Sequence, residues 1–258
     1  MKLRCFLLAW CIIIYQPFSV EARGLMAIGG GVPTVAASGY SFTYIGGCSA
    51  ESTGSDTDLA CTSTLNVASG DTLIVFSAFY GSSAFTNTVG VTGDTNLFTM
   101  ESNAGNGDAN GKMGIITSAS GNAVGATVTF RQTLGTAATY RSIFVLQFRK
   151  TGGTVSKDTA ATATGTGTAV ATSAFSTTAG ALVVGAEWDG NVRAISTTGS
   201  PLIGTTELES DSYIINAANT RSGVWWLIYE AAQTDITASC TLTSSGAWTA
   251  YAIAAKAE

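Results

Sequence analysis

Thr72-Leu73-Ile74-Val75-Phe76-Ser77-Ala78-Phe79-Tyr80 is the stretch whose reading decides the fold. Successive side chains of a strand point to opposite faces. One face of this run then carries Leu73, Val75 and Phe79, and the other carries Ile74, Phe76 and Tyr80. Both faces are apolar, whereas a sheet with one wet face normally alternates. The β-branched and aromatic content favours a pleated surface. Gly70 before the run and Gly81 after it mark its ends.

Working outward, the same kind of run recurs along the chain. Strands are expected near Tyr40–Ile45, Thr62–Val67, Thr86–Val91, Leu97–Glu101, Lys112–Ser118, Thr127–Gln132 and Tyr140–Arg149. A second series is expected near Ala169–Phe175, Ala181–Trp188, Glu207–Ile215, Ser222–Glu230, Asp235–Thr243 and Ala247–Ala255. No long segment has a 3.6-residue apolar period. The chain has only 3 prolines, so little interrupts these strands. Asn106-Gly107 and Asn110-Gly111 read as turn dipeptides. The fold class predicted is all-β, a two-sheet antiparallel sandwich.

The chain also repeats itself. Leu73-Ile74-Val75 after Gly70 is matched by Leu182-Val183-Val184 after Gly180. Each half continues with an apolar strand (Met113–Ile116, Val224–Tyr229) and a Thr-rich one (Thr127–Phe130, Ile236–Leu242). Each closes with a long strand, Ile143–Lys150 and Trp248–Lys256. The spacing, about 110 residues, is too long for a solenoid. The expectation is one sandwich domain over 40–258, built from similar halves at about 40–150 and 169–258. The Thr151–Thr168 stretch reads as the link between them. Two-faced apolar strands need covering on their outer sides by loops or strands of the same chain, or by a neighbouring copy.

The N-terminus reads as a secretory signal over 1–22. Lys2 and Arg4 precede an apolar stretch, Cys5 to Tyr15, and Val20-Glu21-Ala22 offers small residues for cleavage. The apolar run is too short to cross a bilayer as a helix. Residues 23–39 read as a flexible arm, either a disordered leader or a segment able to add a strand to a neighbour's sheet edge. Cys48 and Cys61 are expected to pair, with Ser49–Ala60 as the loop between them. Cys240 reads as a buried apolar thiol. Export to an oxidising compartment follows from both readings.

The chain has 258 residues, no histidine, a net charge of -5 and 11% charged residues, against about 25% in soluble domains at large. The absent imidazole excludes Ser–His, Cys–His and histidine–metal chemistry. No phosphate loop and no nucleophile elbow is present. No basic cluster exists to neutralise a run of phosphates, so nucleic acid and anionic membranes are not expected partners. No cofactor is implied.

Carboxylates and indoles remain. Glu207, Glu209 and Asp211 fall at i, i+2 and i+4, one face of a strand. Glu187 and Asp189 do the same. Paired carboxyls are what glycoside hydrolysis needs, although a charged strand face also guards an edge. Asp56 with Asp58, and Asp108 with Asn110, place oxygens close together, as calcium loops or ordinary turns do. Trp225 and Trp226 are adjacent and face opposite ways on a strand, so one is expected outside. Trp188 beside Asp189 is expected at a rim. Trp188, Asp189, Trp225, Trp226, Glu207 and Glu209 are thus the candidate ligand platform, with glycans as its ligand class; the other reading is that the indoles simply pack in the core, as tryptophans mostly do.

Ala68-Ser69-Gly70-Asp71-Thr72-Leu73-Ile74-Val75, Ala179-Gly180-Ala181-Leu182-Val183-Val184 and Gly246-Ala247-Trp248-Thr249-Ala250 resemble jelly-roll-like β-sandwich domains of secreted bacterial surface proteins and phage virion proteins. The likeness spans roughly residues 40–256 and implies a two-sheet sandwich without a known active site. The reading that follows is a non-catalytic extracellular structural or adhesive protein, with further copies of itself or extracellular glycans as partners. The alternatives are a carbohydrate-binding module and a sandwich glycosidase.

Overall fold

A computed structural model describes residues 41–63, 67–81, 87–92, 99–106, 109–119, 128–189, 195, 201–208, 213–216 and 222–258. The expected signal segment and arm (1–39), Asp108, Glu209 and Asp211 lie outside the described residues.

The first half supplies β1 (Ser41–Ser52), β2 (Asp56–Ser63), β3 (Thr72–Tyr80), β4 (Asn87–Thr92), β5 (Thr99–Asn106), β6 (Ala109–Ile116) and β7 (Val128–Thr151). The second supplies β8 (Val155–Ala171), β9 (Phe175–Thr177), β10 (Ala181–Asp189), β11 (Leu202–Ile203), β12 (Thr206–Glu207), β13 (Tyr213–Asn216), β14 (Ser222–Tyr229), β15 (Gln233–Ile236) and β16 (Ala238–Ala257). No helix occurs among the described residues. The protein is an antiparallel two-sheet sandwich.

Each half of the sequence builds one sheet. The first runs β1-β7-β3-β6-β5 and the second β8-β16-β10-β14-β13, the same order of corresponding strands. The two sheets share a core of Ile74, Phe76, Phe144, Leu146 and Phe148 from one, and Leu182, Val184, Trp226, Tyr251 and Ile253 from the other. Leu73 and Val75 belong to the outer side of the first sheet, whereas Leu182 lies in the shared core. The sequence match of Leu73 to Leu182 is therefore one residue out of step. A one-residue slip moves a side chain to the opposite face. Gly70 and Gly180, both left-handed (φ 88° and 73°), are the better anchor for the alignment. Counted from them, Ser77 and Glu187 occupy corresponding places.

The outer faces are covered by the chain itself. β7 is 24 residues long and serves two layers. Its second half pairs with β1 and β3, and its first half pairs with β2 and β4 outside the first sheet. The strand bends at Tyr140, which adopts φ 49° where the β3 register also shifts. Leu59, Cys61 and Phe130 from this cover pack on Leu73, Val75, Ile143 and Val145. On the second sheet, the first turns of β16 with β8, β9 and β11 do the same, placing Val170, Phe175, Ile203, Ala238 and Leu242 over Val183, Trp225 and Ala252. Thr151–Thr168, expected as a link, is mostly β8, paired along β16 from Val155. Its threonines and small residues suit an exposed edge strand. Ser49–Ala60, expected as a loop, is mostly strand, belonging to β1 up to Ser52 and to β2 from Asp56. Asn110-Gly111, expected as a turn, lies inside β6.

Three fixed points hold the layers. Cys48 and Cys61 form a disulfide with Cα atoms 6.0 Å apart, joining β1 to the covering β2. Buried Arg141 donates to the carbonyls of Asp58 (2.6 Å) and Gly54 (3.2 Å), pinning the β1–β2 turn. Buried Asp71 accepts from Arg149 Nε and Nη2 (both 2.8 Å), Gln147 Nε2 (2.5 Å) and the Ala68 amide (2.8 Å). Burial pushes its pKa up, but these donors together bring it below the usual value.

Candidate functional site

The described residues of the candidate ligand platform do not come together at the surface. Trp188 and Trp225 are fully buried and Trp226 is 5% exposed. Trp226 packs in the shared core against Tyr44, ring centroids 4.2 Å apart, and Phe148. Trp225 does face outward from its sheet, as adjacent strand residues must, but the first turns of β16 lie over it. Trp188 is a core residue rather than a rim residue. The core-packing reading of the indoles holds and the open platform does not, because the covering strands, not solvent, occupy the outer layer.

The acidic residues separate into two environments. Glu207 ends the short hairpin β11–β12 and is exposed. It does not continue into β13, so no described strand carries the Glu207-Glu209-Asp211 comb. Glu187 and Asp189 are buried on the outward side of β10. Neither oxygen of Glu187 has a hydrogen-bond partner among the described residues. Burial, and then the neighbouring Asp189 carboxylate, push the Glu187 pKa well above the usual range and favour the protonated acid. Cys240 lies in the same layer, buried and free. Burial, Glu187 and Asp189 all push its thiol pKa up, away from the reactive thiolate.

Asp56 accepts from the amides of Thr57 (2.6 Å) and Asp58 (3.5 Å), which lower its pKa. That is turn chemistry rather than a cation loop. Asn110 donates to the Gly81 carbonyl, again a structural bond. Among the described residues, no three Cys, Asp or Glu side chains cluster as metal ligands.

Two further places carry polar groups that sequence reasoning did not single out. The first is a surface cleft of about 360 Å³ beside β12. Thr205, Thr206, Gln233, Thr234 and Asp235 line it, and the Tyr229 ring forms one wall. Tyr229 Oη donates to the Ile203 carbonyl at 3.1 Å, which fixes the ring. The Gln-Thr-Asp triplet at 233–235 is the available signal, of which only Asp235 falls in an expected strand, as its first residue. The second is a polar group under the cover of the first sheet, with Ser77 and Gln132 buried and Lys112 half-buried. Gln132 Nε2 donates to Ser77 Oγ at 2.5 Å and to the Ala78 carbonyl at 3.1 Å. Lys112 is the cross-strand neighbour of Ser77. Nothing in the sequence places residues 77, 112 and 132 together, because the β3–β6 register joins the first two and the bend in β7 brings the third.

No family model, curated protein or solved structure matches the chain. Among the described residues, no helix is long and apolar enough to cross a membrane.

Proposed function

We propose that the chain is a non-catalytic β-sandwich module with a structural or adhesive role, secreted or held at the cell surface. One observation carries this reading. The groups with the most chemistry to offer, Glu187, Asp189, Trp188, Trp225 and Trp226, are sealed between packed layers. A hydrolase needs its two carboxyls facing one accessible bond. The Cys48–Cys61 disulfide is compatible with an extracellular site of action. The outer faces, covered by the chain's own strands, argue for surface presentation rather than assembly through bare sheets. The β1 edge is interrupted by a bulge at Tyr44/Gly46, a feature that discourages edge-to-edge pairing.

A second reading, glycan binding, rests on the cleft at Tyr229 and Asp235 rather than on the tryptophans. An aromatic wall with hydroxyl, amide and carboxylate groups is suited to a sugar ring.

The precursor, expressed with its own N-terminus, tests both. The expected result is a processed chain outside the cytoplasm with Cys48 and Cys61 oxidised. The purified chain should bind a cell surface or glycan array saturably and leave a panel of chromogenic glycosides intact. Turnover that disappears in Glu207→Gln would overturn the proposal. So would a chain retained in the cytosol with both thiols reduced. Array binding abolished by Tyr229→Ala would place the ligand in the cleft.

A further inference from the structure

Ser77, Lys112 and Gln132 meet between the first sheet and its cover. Ser77 and Lys112 are register partners on β3 and β6, so their side chains leave the sheet on the same outward face. Gln132 reaches this face from the first half of β7, on the far side of the Tyr140 bend. Ser77 and Gln132 are both fully buried. Gln132 Nε2 lies 2.5 Å from Ser77 Oγ, and Gln132 Oε1 has no hydrogen-bond partner among the described residues. A hydroxyl thus sits one hydrogen bond away from a primary amide, shielded from water by Leu59, Phe130 and Ile143, with half-buried Lys112 as the hydroxyl's neighbour across the strands.

We propose that Ser77 and Gln132 react with each other to form an ester cross-link, with Lys112 as the base, tying β3 to the covering part of β7. Lys112 Nζ takes the hydroxyl proton. Ser77 Oγ attacks Gln132 Cδ, forming the C–O bond and a tetrahedral carbon. That carbon collapses and its bond to Nε2 breaks. Lys112 returns the proton to the departing nitrogen, and ammonia leaves. The product is an ester between the two side chains; no oxidant, reductant or cofactor takes part.

Four features support the reaction. Ser77 and Lys112 are directly opposite each other on neighbouring strands, with side chains on the same face, the placement from which a lysine can serve a serine hydroxyl as base. The strands hold both reactants in contact, which removes most of the entropic barrier to a bimolecular step. Burial lowers the Lys112 pKa and so favours its amine form. Exclusion of water protects the ester once made. The corresponding place on β10 holds Glu187 beside Gly223, with no hydroxyl and no amine, so the cross-link belongs to the first half alone.

Peptide mapping of the purified, secreted protein after tryptic digestion tests the proposal. The expected result is a protein lighter than its disulfide-bonded sequence by one ammonia. The Gln132–Arg141 peptide should be attached to the peptide that carries Ser77, and hydroxylamine should release it. Ser77→Ala should restore the missing ammonia and free the peptide, and Lys112→Met should slow the loss in freshly folded protein. An unmodified Gln132–Arg141 peptide in the wild-type digest overturns the proposal, whatever the variants do. An ammonia loss mapped to any other residue overturns it equally.

Discussion

Trp225 lies across Gly185. A Cβ at Gly185 would stand 2.5 Å from the Trp225 indole nitrogen and 2.7 Å from Ala238 Cβ. The outer indole of the second sheet is therefore seated where β10 has no side chain, under the first turn of β16. Gly185→Ala forces the ring or β16 outward. Overpacking of this kind costs about 1–3 kcal/mol. Thermal unfolding should show a lowered midpoint, and tryptophan emission of the native state should shift to the red.

Glu187 makes stability depend on pH in a definite direction. Its pKa in the folded chain is raised by burial and by Asp189, while the unfolded chain has the ordinary value. Between those two values the folded state binds the extra proton, so stability falls as pH rises. The contribution is complete below the unfolded pKa and lost on approaching the folded one. Glu187→Gln should flatten this decline in urea titrations run from acid to alkaline pH. A wild-type profile that rises over the same interval would rule out a buried acid.

Asp71 acts with the opposite sign. Its folded pKa is lowered by Arg149, the Ala68 amide and Gln147, which together outweigh burial. Its stabilisation is present above the unfolded pKa and is lost as pH falls through the folded one. Asp71→Asn should cost about 2 kcal/mol at neutral pH, the scale of hydrogen bonds to a charged group. The loss should shrink in acid, where the wild type also surrenders the charge.

The disulfide holds the cover to the first sheet. Cys48 and Cys61 are 13 residues apart, and closing a loop of that size stabilises by about 3 kcal/mol in the chain-entropy model. Replacing both by serine should lower the denaturation midpoint accordingly. Hydrogen exchange should rise first in β2 and the first half of β7. Protection lost evenly across both sheets would show that the bridge does not act locally.

Tyr251 joins the two sheets across the shared core. Its Oη donates to the Ala104 carbonyl at 2.8 Å and fills the space above Gly111, where a Cβ would stand 2.6 Å away. Tyr251→Phe should cost about 1 kcal/mol, the net worth of one such bond. Gly111→Ala should cost more, because it displaces the whole ring. Equal midpoints for the two variants would contradict this order.

The class of fold was readable from Thr72–Tyr80 alone, since two apolar faces demand layers on both sides. The duplicated sheet was readable too, though the Leu73–Leu182 match was offset by one residue. Apolar strands of similar composition do not reveal their own register, and the left-handed glycines do. What the sequence concealed was the cover. Residues 128–151 looked like two strands because the polar stretch around Thr136–Thr139 resembles a turn, yet β7 runs through it and bends at Tyr140. From that hidden continuity comes the unforeseen meeting of Ser77 with Gln132, while the long β16, paired with β8 and folded over its own sheet, buries Trp225 and makes Thr151–Thr168 a strand.

The continuity of β7 has a mechanical meaning. A shell attached by its own separate strands could peel away while the inner sheet survived. Here a single backbone is stitched into both storeys, so a force that lifts the upper one pulls directly on the ladder beneath. With the Cys48–Cys61 bridge in place, such a body should resist gradual fraying of its outer storey.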